Sequence, residues 1–126
     1  MKSPFFPNLD LDLIEVYPDS AVGDLVYEAG GYFAATFGND VYFYADQYNP
    51  YSVSGTGLLA HELAHAQQYA DASGYGSFLF DYLLEYLLNG YENNPYELDA
   101  QRISAEVEAA LNAKGGIPPC DKEKDC

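Results

Sequence analysis

Apolar residues recur along this chain with two different spacings, and the switches between them divide it into elements. Leu13, Ile14, Val16 and Tyr17 form a short apolar run stopped by Pro18 and Asp19, which predicts a strand and then a turn. Val22, Leu25, Val26 and Ala29 return at helical spacing up to Gly30 and Gly31, the pattern of a short helix capped by Asp19 or Ser20. Two runs rich in aromatic and β-branched side chains follow, Tyr32 to Phe37 and Val41 to Tyr44. Gly38, Asn39 and Asp40 separate them, so they predict a hairpin. Residues 45–57 carry turn chemistry, with Asn49, Pro50, Ser52 and Gly55 among the breakers and caps.

The rest of the pattern is helical. From Thr56 or Gly57 to about Ala72 the segment GLLAHELAHAQQYADA holds no helix breaker, and Gly74 and Gly76 close it. In the next segment, Ser77 to Asn89, the polar residues Asp81, Glu85 and Asn89 form a narrow stripe on an otherwise apolar cylinder. That pattern predicts a solvated stripe and a helix buried over most of its surface. Asn94 and Pro95 suit an N-cap and first helical residue, and Tyr96 to Asn112 places Ala100, Ile103, Val107 and Leu111 on one face. The predicted class is α+β: a short N-terminal sheet with helices, one domain over residues 1–112, and a polar tail over 113–126.

Composition narrows the function classes. At 126 residues with 48% hydrophobic and 16% aromatic side chains, the chain can bury a core without a disulfide framework. Its 20 acidic against 5 basic side chains give a net charge of -15, which repels nucleic acid and anionic lipid and keeps a Tyr-rich surface in solution. Pro and Asp interrupt the N-terminal apolar residues before a signal-peptide core forms, and no apolar run is long enough to span a membrane. The expectation is a soluble protein, cytoplasmic or exported without a cleaved signal peptide. Cys120 and Cys126 lie in the tail, where a bridge would stabilise only the tail and no histidine is near to share a metal.

The chemistry lies in HELAH at 61–65. Histidines four apart stand one turn above the other on a helix, so His61 and His65 can reach one ion. Zinc suits two imidazoles with one coordination position left for water, and Glu62, about 100 degrees round the helix from His61, is placed as the base for that water. The competing reading is a pair of helix-face histidines that only pack or meet solvent. Three acids compete for the third ligand position. Asp71 has the spacing of a known third-ligand pattern, but Gln68 stands where that pattern needs glycine, so the continuing helix carries Asp71 away from the ion. Glu85 belongs to the polar stripe. Glu97 opens the last helix near its buried face and is the expected ligand, although it also fits a capping box with Asn94. For the oxyanion, Arg102 is expected to serve a surface ion pair, and no one of the 13 tyrosines stands out.

The combination of NDVYF, GLLAHELAHAQQ and NPYELDAQ resembles the small zincin domain of the DUF4157 group, gluzincin-like peptidases often found beside contractile injection systems or toxins. The resemblance runs from about Leu13 to Asn112. It implies a βαββ start before the HExxH helix, matches Gln68 to the glutamine three after the second histidine, and matches Asn94, Pro95, Glu97 and Ala100 to the motif of the third ligand. Gln67 departs from the pattern, which has an apolar residue there. The implied function is zinc-dependent hydrolysis of a peptide or protein substrate, with His61, His65 and Glu97 on the metal and Glu62 catalytic. Peptide would lie along the Val41 to Tyr44 edge, by the same resemblance. The alternative is a zinc-binding recognition or structural module of a secreted or injected assembly. A pure interaction role for the Ser77 to Asn89 helix conflicts with its expected burial.

Overall fold

A computed structural model describes residues 4–72 and 74–116, and the tail with Cys120 and Cys126 lies outside the described residues. The architecture is α+β, as expected: strand β1 (Glu15–Tyr17), helix α1 (Ala21–Gly30), strands β2 (Ala34–Phe37) and β3 (Asp40–Phe43), then helices α2 (Val53–Asp71), α3 (Tyr75–Asn89) and α4 (Pro95–Ala113). Short 3-10 turns at Leu11–Leu13 and Ala45–Gln47 join the elements. Among the described residues no helix is long and apolar enough to cross a membrane.

The sheet order is β1-β3-β2, with β1 parallel and β2 antiparallel to β3. The hairpin forms because Gly38 adopts the left-handed conformation (φ 64°) that its tight turn needs. Thr36 pairs with Val41 and Ala34 with Phe43, so these four share the face toward α2, where Val41 and Phe43 are completely buried. Tyr42 on the other face stacks on Tyr17 of β1, ring centroids 4.8 Å apart. The expected free edge at Val41 to Tyr44 is therefore wrong. Helix α1 carries the chain across so that β1 pairs with β3 on its open side, which leaves β2 as the edge strand beside α2.

Helix α2 begins earlier than its apolar pattern because the Ser52 hydroxyl accepts from the Gly55 amide at 3.0 Å. Helix α4 begins where expected, with the Asn94 side chain accepting from the Tyr96 amide at 2.9 Å. The two helices run antiparallel: Ser104 donates to the Gly57 carbonyl at 2.7 Å, whereas Gln68 at the other end of α2 donates to the Tyr96 carbonyl at 2.9 Å. Ala60, Ala64, Ala100 and Ile103 fill this seam together with Phe6 and Leu9 from the N-terminal segment. The alanines keep the two backbones close.

Helix α3 departs from expectation. Asp81 and Asn89 of the polar stripe are exposed, as expected, and Phe78 is buried, but Phe80, Leu83, Leu84, Leu87 and Leu88 are exposed as well. A polar stripe on an apolar cylinder implies burial of the rest only if the rest finds a core, and α3 sits at the margin of this one.

Two glycines test the packing. A methyl group on Gly23 would collide with the Phe43 backbone carbonyl, which cannot yield, whereas one on Gly57 would meet the movable end of the Glu108 side chain. Gly23→Ala should therefore lose roughly 1–3 kcal/mol of unfolding free energy in urea titration, through overpacking. Gly57→Ala should stay within about 1 kcal/mol of the parent, because Ala is the better helix former. Equal losses would show that the α1–β3 approach is looser than described.

Candidate metal centre

His61 and His65 project from the middle of α2 beside the alanine seam, and Glu97 projects from the first turn of α4. Because the helices are antiparallel and closely packed, the three meet: one ligand atom from each lies within 4.8 Å of the others. Two imidazoles and a carboxylate gathered from two helices form a donor set able to hold a metal ion.

The same atoms satisfy one another by hydrogen bonding. His61 Nε2 lies 2.9 Å from Glu97 Oε2, and His65 Nε2 lies 2.9 Å from Glu97 Oε1. Burial opposes charge on Glu97, yet the hydrogen bonds from His61 and His65 hold its carboxyl well below the usual carboxylate range. Burial likewise disfavours a charged His65, but the Glu97 hydrogen bond and the Glu62 and Glu97 carboxylates overcome it and push His65 up to about 9. The expected capping box is thus only half made. Asn94 caps the helix, and Glu97 turns to the histidines instead of back to the Asn94 amide.

Gln68 orients the buried ring. Its Nε2 donates to the Tyr96 carbonyl at 2.9 Å, which turns its Oε1 toward His65 Nδ1, also at 2.9 Å. An acceptor there keeps the proton on Nδ1, so in the neutral ring the lone pair of Nε2 points at the Glu97 side of the cluster. Tyr82 donates to Glu97 Oε1 at 2.9 Å, and the Tyr91 hydroxyl hydrogen-bonds the same carboxylate. Burial and then the Glu97 charge raise both phenols far above their ordinary range, so they remain donors.

Glu62 is buried behind the histidines. The Thr36 hydroxyl of β2 lies 3.0 Å from both the Glu62 backbone carbonyl and its Oε1, which fixes the side chain against the edge strand. Burial raises the Glu62 carboxyl above its ordinary value, with His65 and His61 pulling the other way. A cleft runs past this group, lined by Thr36, Phe37, His61, Leu79, Tyr82 and Tyr91.

The other acids stand apart. Asp71 is an exposed residue at the end of α2, and Glu85 accepts from Asn89 on α3 at 2.8 Å. Arg102 pairs with Asp99 and Glu106 on the surface of α4, at 2.8 and 2.9 Å. Gln67, the departure in the helix pattern, accepts from the Asn8 amide at 3.4 Å and faces the N-terminal segment. Thr36, Tyr82 and Tyr91 were missed by the sequence reading. For Thr36 the one available signal was a polar residue inside an apolar strand.

Fold and site together define a small α+β domain with an HExxH helix and a His-His-Glu cluster able to hold a metal ion. The chain belongs to the eCIS core domain family, whose model matches residues 3–73, more than half of it. The match includes Thr36, His61, Glu62, His65 and Gln68 and ends before α3 and Glu97. No curated protein and no solved structure matches the chain.

Two predictions follow from the ligand geometry. Glu97→Ala should weaken binding of a divalent ion, read by competition with a chelating dye, by about 100-fold or more, and Gln68→Ala by about 10- to 100-fold. Glu85→Ala and Asp71→Ala should leave it unchanged, and equal losses would defeat the assignment. The second concerns pH. A divalent ion must displace the proton on His65, so apparent affinity should rise roughly tenfold per pH unit from about 6.5 and flatten above about 9. Protein stripped of metal should behave oppositely. The raised His65 pKa adds stability that is complete below about 6.5 and lost as pH rises through about 9. Melting temperatures across that range check the sign.

Proposed function

We propose that this chain is a zinc-binding module associated with an injection system, holding one ion through His61, His65 and Glu97. One observation carries the zinc reading: three ligand atoms from two helices converge within 4.8 Å, beside a glutamine that fixes the tautomer of the buried imidazole. Membership of the eCIS core domain family supports the association.

A second reading adds turnover, and the position of Glu62 favours it. In this reading the domain is zincin-like and hydrolyses a peptide bond in a peptide or protein substrate. A zinc ion in this site would supply Lewis acidity, polarising a carbonyl and making water easier to deprotonate at neutral pH. Glu62 Oε1 is engaged by Thr36, so the other carboxylate oxygen takes the proton of the attacking water and returns it to the leaving amine. Burial favours the protonated form of this carboxyl, which brings its pKa nearer to the pH at which base and acid roles alternate. Tyr82 and Tyr91 stay protonated, but each has one O–H and directs it at Glu97, so either phenol serves an oxyanion in the cleft only by exchanging that partner. The edge strand β2 lies along the same cleft with Ala34, Ala35 and Thr36, and an extended peptide pairing with it would pass Glu62.

Metal analysis of protein purified without chelators should find one zinc per chain, and zinc should raise the melting temperature of stripped protein. Absence of both effects would end the zinc reading. Glu62→Gln should keep the zinc and the fold while any cleavage of a peptide library falls by about 100- to 10,000-fold. Full cleavage by that variant would remove Glu62 as the base. A parent that is filled with zinc and cuts nothing would leave the binding module alone.

A further inference from the structure

Helix α3 turns its most hydrophobic side outward. Phe80, Leu83, Leu84, Leu87 and Leu88 are 66%, 50%, 44%, 81% and 71% exposed, and their intervals place them on one face of the helix, opposite the buried Phe78 and the Tyr82 that reaches Glu97. An unbroken stripe of five large apolar side chains is far from the scattered exposure normal on a monomer surface. Its spacing, i, i+3, i+4, i+7 and i+8 from Phe80, is that of a helix received by a hydrophobic groove.

Charge and area identify what receives it. Asp81 and Glu85 border the stripe on one side, α3 carries no Lys or Arg, and the whole chain has a net charge of -15. A second copy would bring the same acids and the same net charge against this face, and an anionic membrane would repel it. Two such stripes laid together would cover roughly 500 Å² on each copy, short of the ~800 Å² that each partner gives to a stable interface. A groove encloses the helix on its flanks as well and so buries more of it, and a basic rim would meet Asp81 and Glu85.

We propose that the outer face of α3 is a docking helix for a protein partner that presents an apolar groove with a Lys- or Arg-rich rim. The inference is independent of zinc and of hydrolysis.

The test uses the full chain with a designed antiparallel helical hairpin whose Leu-lined groove is edged by Lys, and the same hairpin edged by Glu. Fluorescence anisotropy should show the Lys-edged hairpin binding at micromolar concentrations, more weakly at high salt, and the Glu-edged one not binding. Leu84→Gln with Leu87→Gln should weaken that binding at least tenfold at unchanged charge. Gln is a good helix former and both sites face outward, so the melting temperature should hold; if it falls, Phe80→Gln alone serves the same purpose. Binding of both hairpins alike, binding of neither, or binding untouched by the substitutions overturns the proposal. So does a dimer in sedimentation that the double substitution dissociates, which would make the occupant a second copy. Co-flotation with phosphatidylserine vesicles that the substitutions abolish would make it a membrane and overturns the proposal equally.

Discussion

The carboxylate of Glu97, held between His61 and His65 in the interior, is the constraint on which the rest of the site depends. A buried carboxylate is expensive unless its charge is met and its lone pairs are filled. Here two imidazoles and two phenols meet it, and the proton that His65 retains supplies the opposite charge. The group that makes Glu97 tolerable in the core is thus the group an incoming cation would replace. A divalent ion would bring two positive charges in exchange for the one proton of His65, to a place where the donor atoms are already gathered.

That grip is possible only because α2 and α4 approach closely. The seam is built from Gly57, Ala60 and Ala64 against Ala100, Ile103 and Ser104, and a larger side chain at its centre would separate the helices and draw Glu97 off the histidines. The sheet contributes from the other side. Thr36 lies at the buried face of β2 because its register pairs it with Val41, and its hydroxyl ties the edge strand to Glu62. Glu62, the His61, His65 and Glu97 cluster and the strand that flanks the cleft are therefore located by a single packing arrangement, each carried by a helix or a strand.

Much of this was legible beforehand, for identifiable reasons. Helix periodicity and the caps at Ser20 and Asn94 are local signals, and HELAH encodes its geometry in a four-residue spacing, so the elements and the histidine pair could be read directly. Glu97 could be preferred over Glu85 and Asp71 because it sat at the start of a helix beside an apolar face. Pairing between distant segments was not legible: nothing local states that β1 joins β3 and makes β2 the edge. Nor could the tyrosines be ranked, since Tyr82 and Tyr91 are distinguished from the others by where α3 comes to rest rather than by their neighbours in sequence.

Helix α3 shows why such a reading can place the polar stripe in solvent correctly and still overstate the burial of the rest. An apolar cylinder with one polar stripe satisfies two arrangements equally well as a pattern, and only the amount of core available decides between them. In this domain the seam between α2 and α4 and the face of the sheet already use the interior, so α3 can offer it little more than Phe78 and Tyr82. Asn94 fastens the helix from beneath, capping α4 with its Oδ1 and donating to the Tyr82 carbonyl at 3.3 Å with its Nδ2. One side of α3 consequently reaches the Glu97 carboxylate while the opposite side faces outward. The exposed apolar face and the His-His-Glu cluster therefore share a single structural element, with Tyr82 as the link between them.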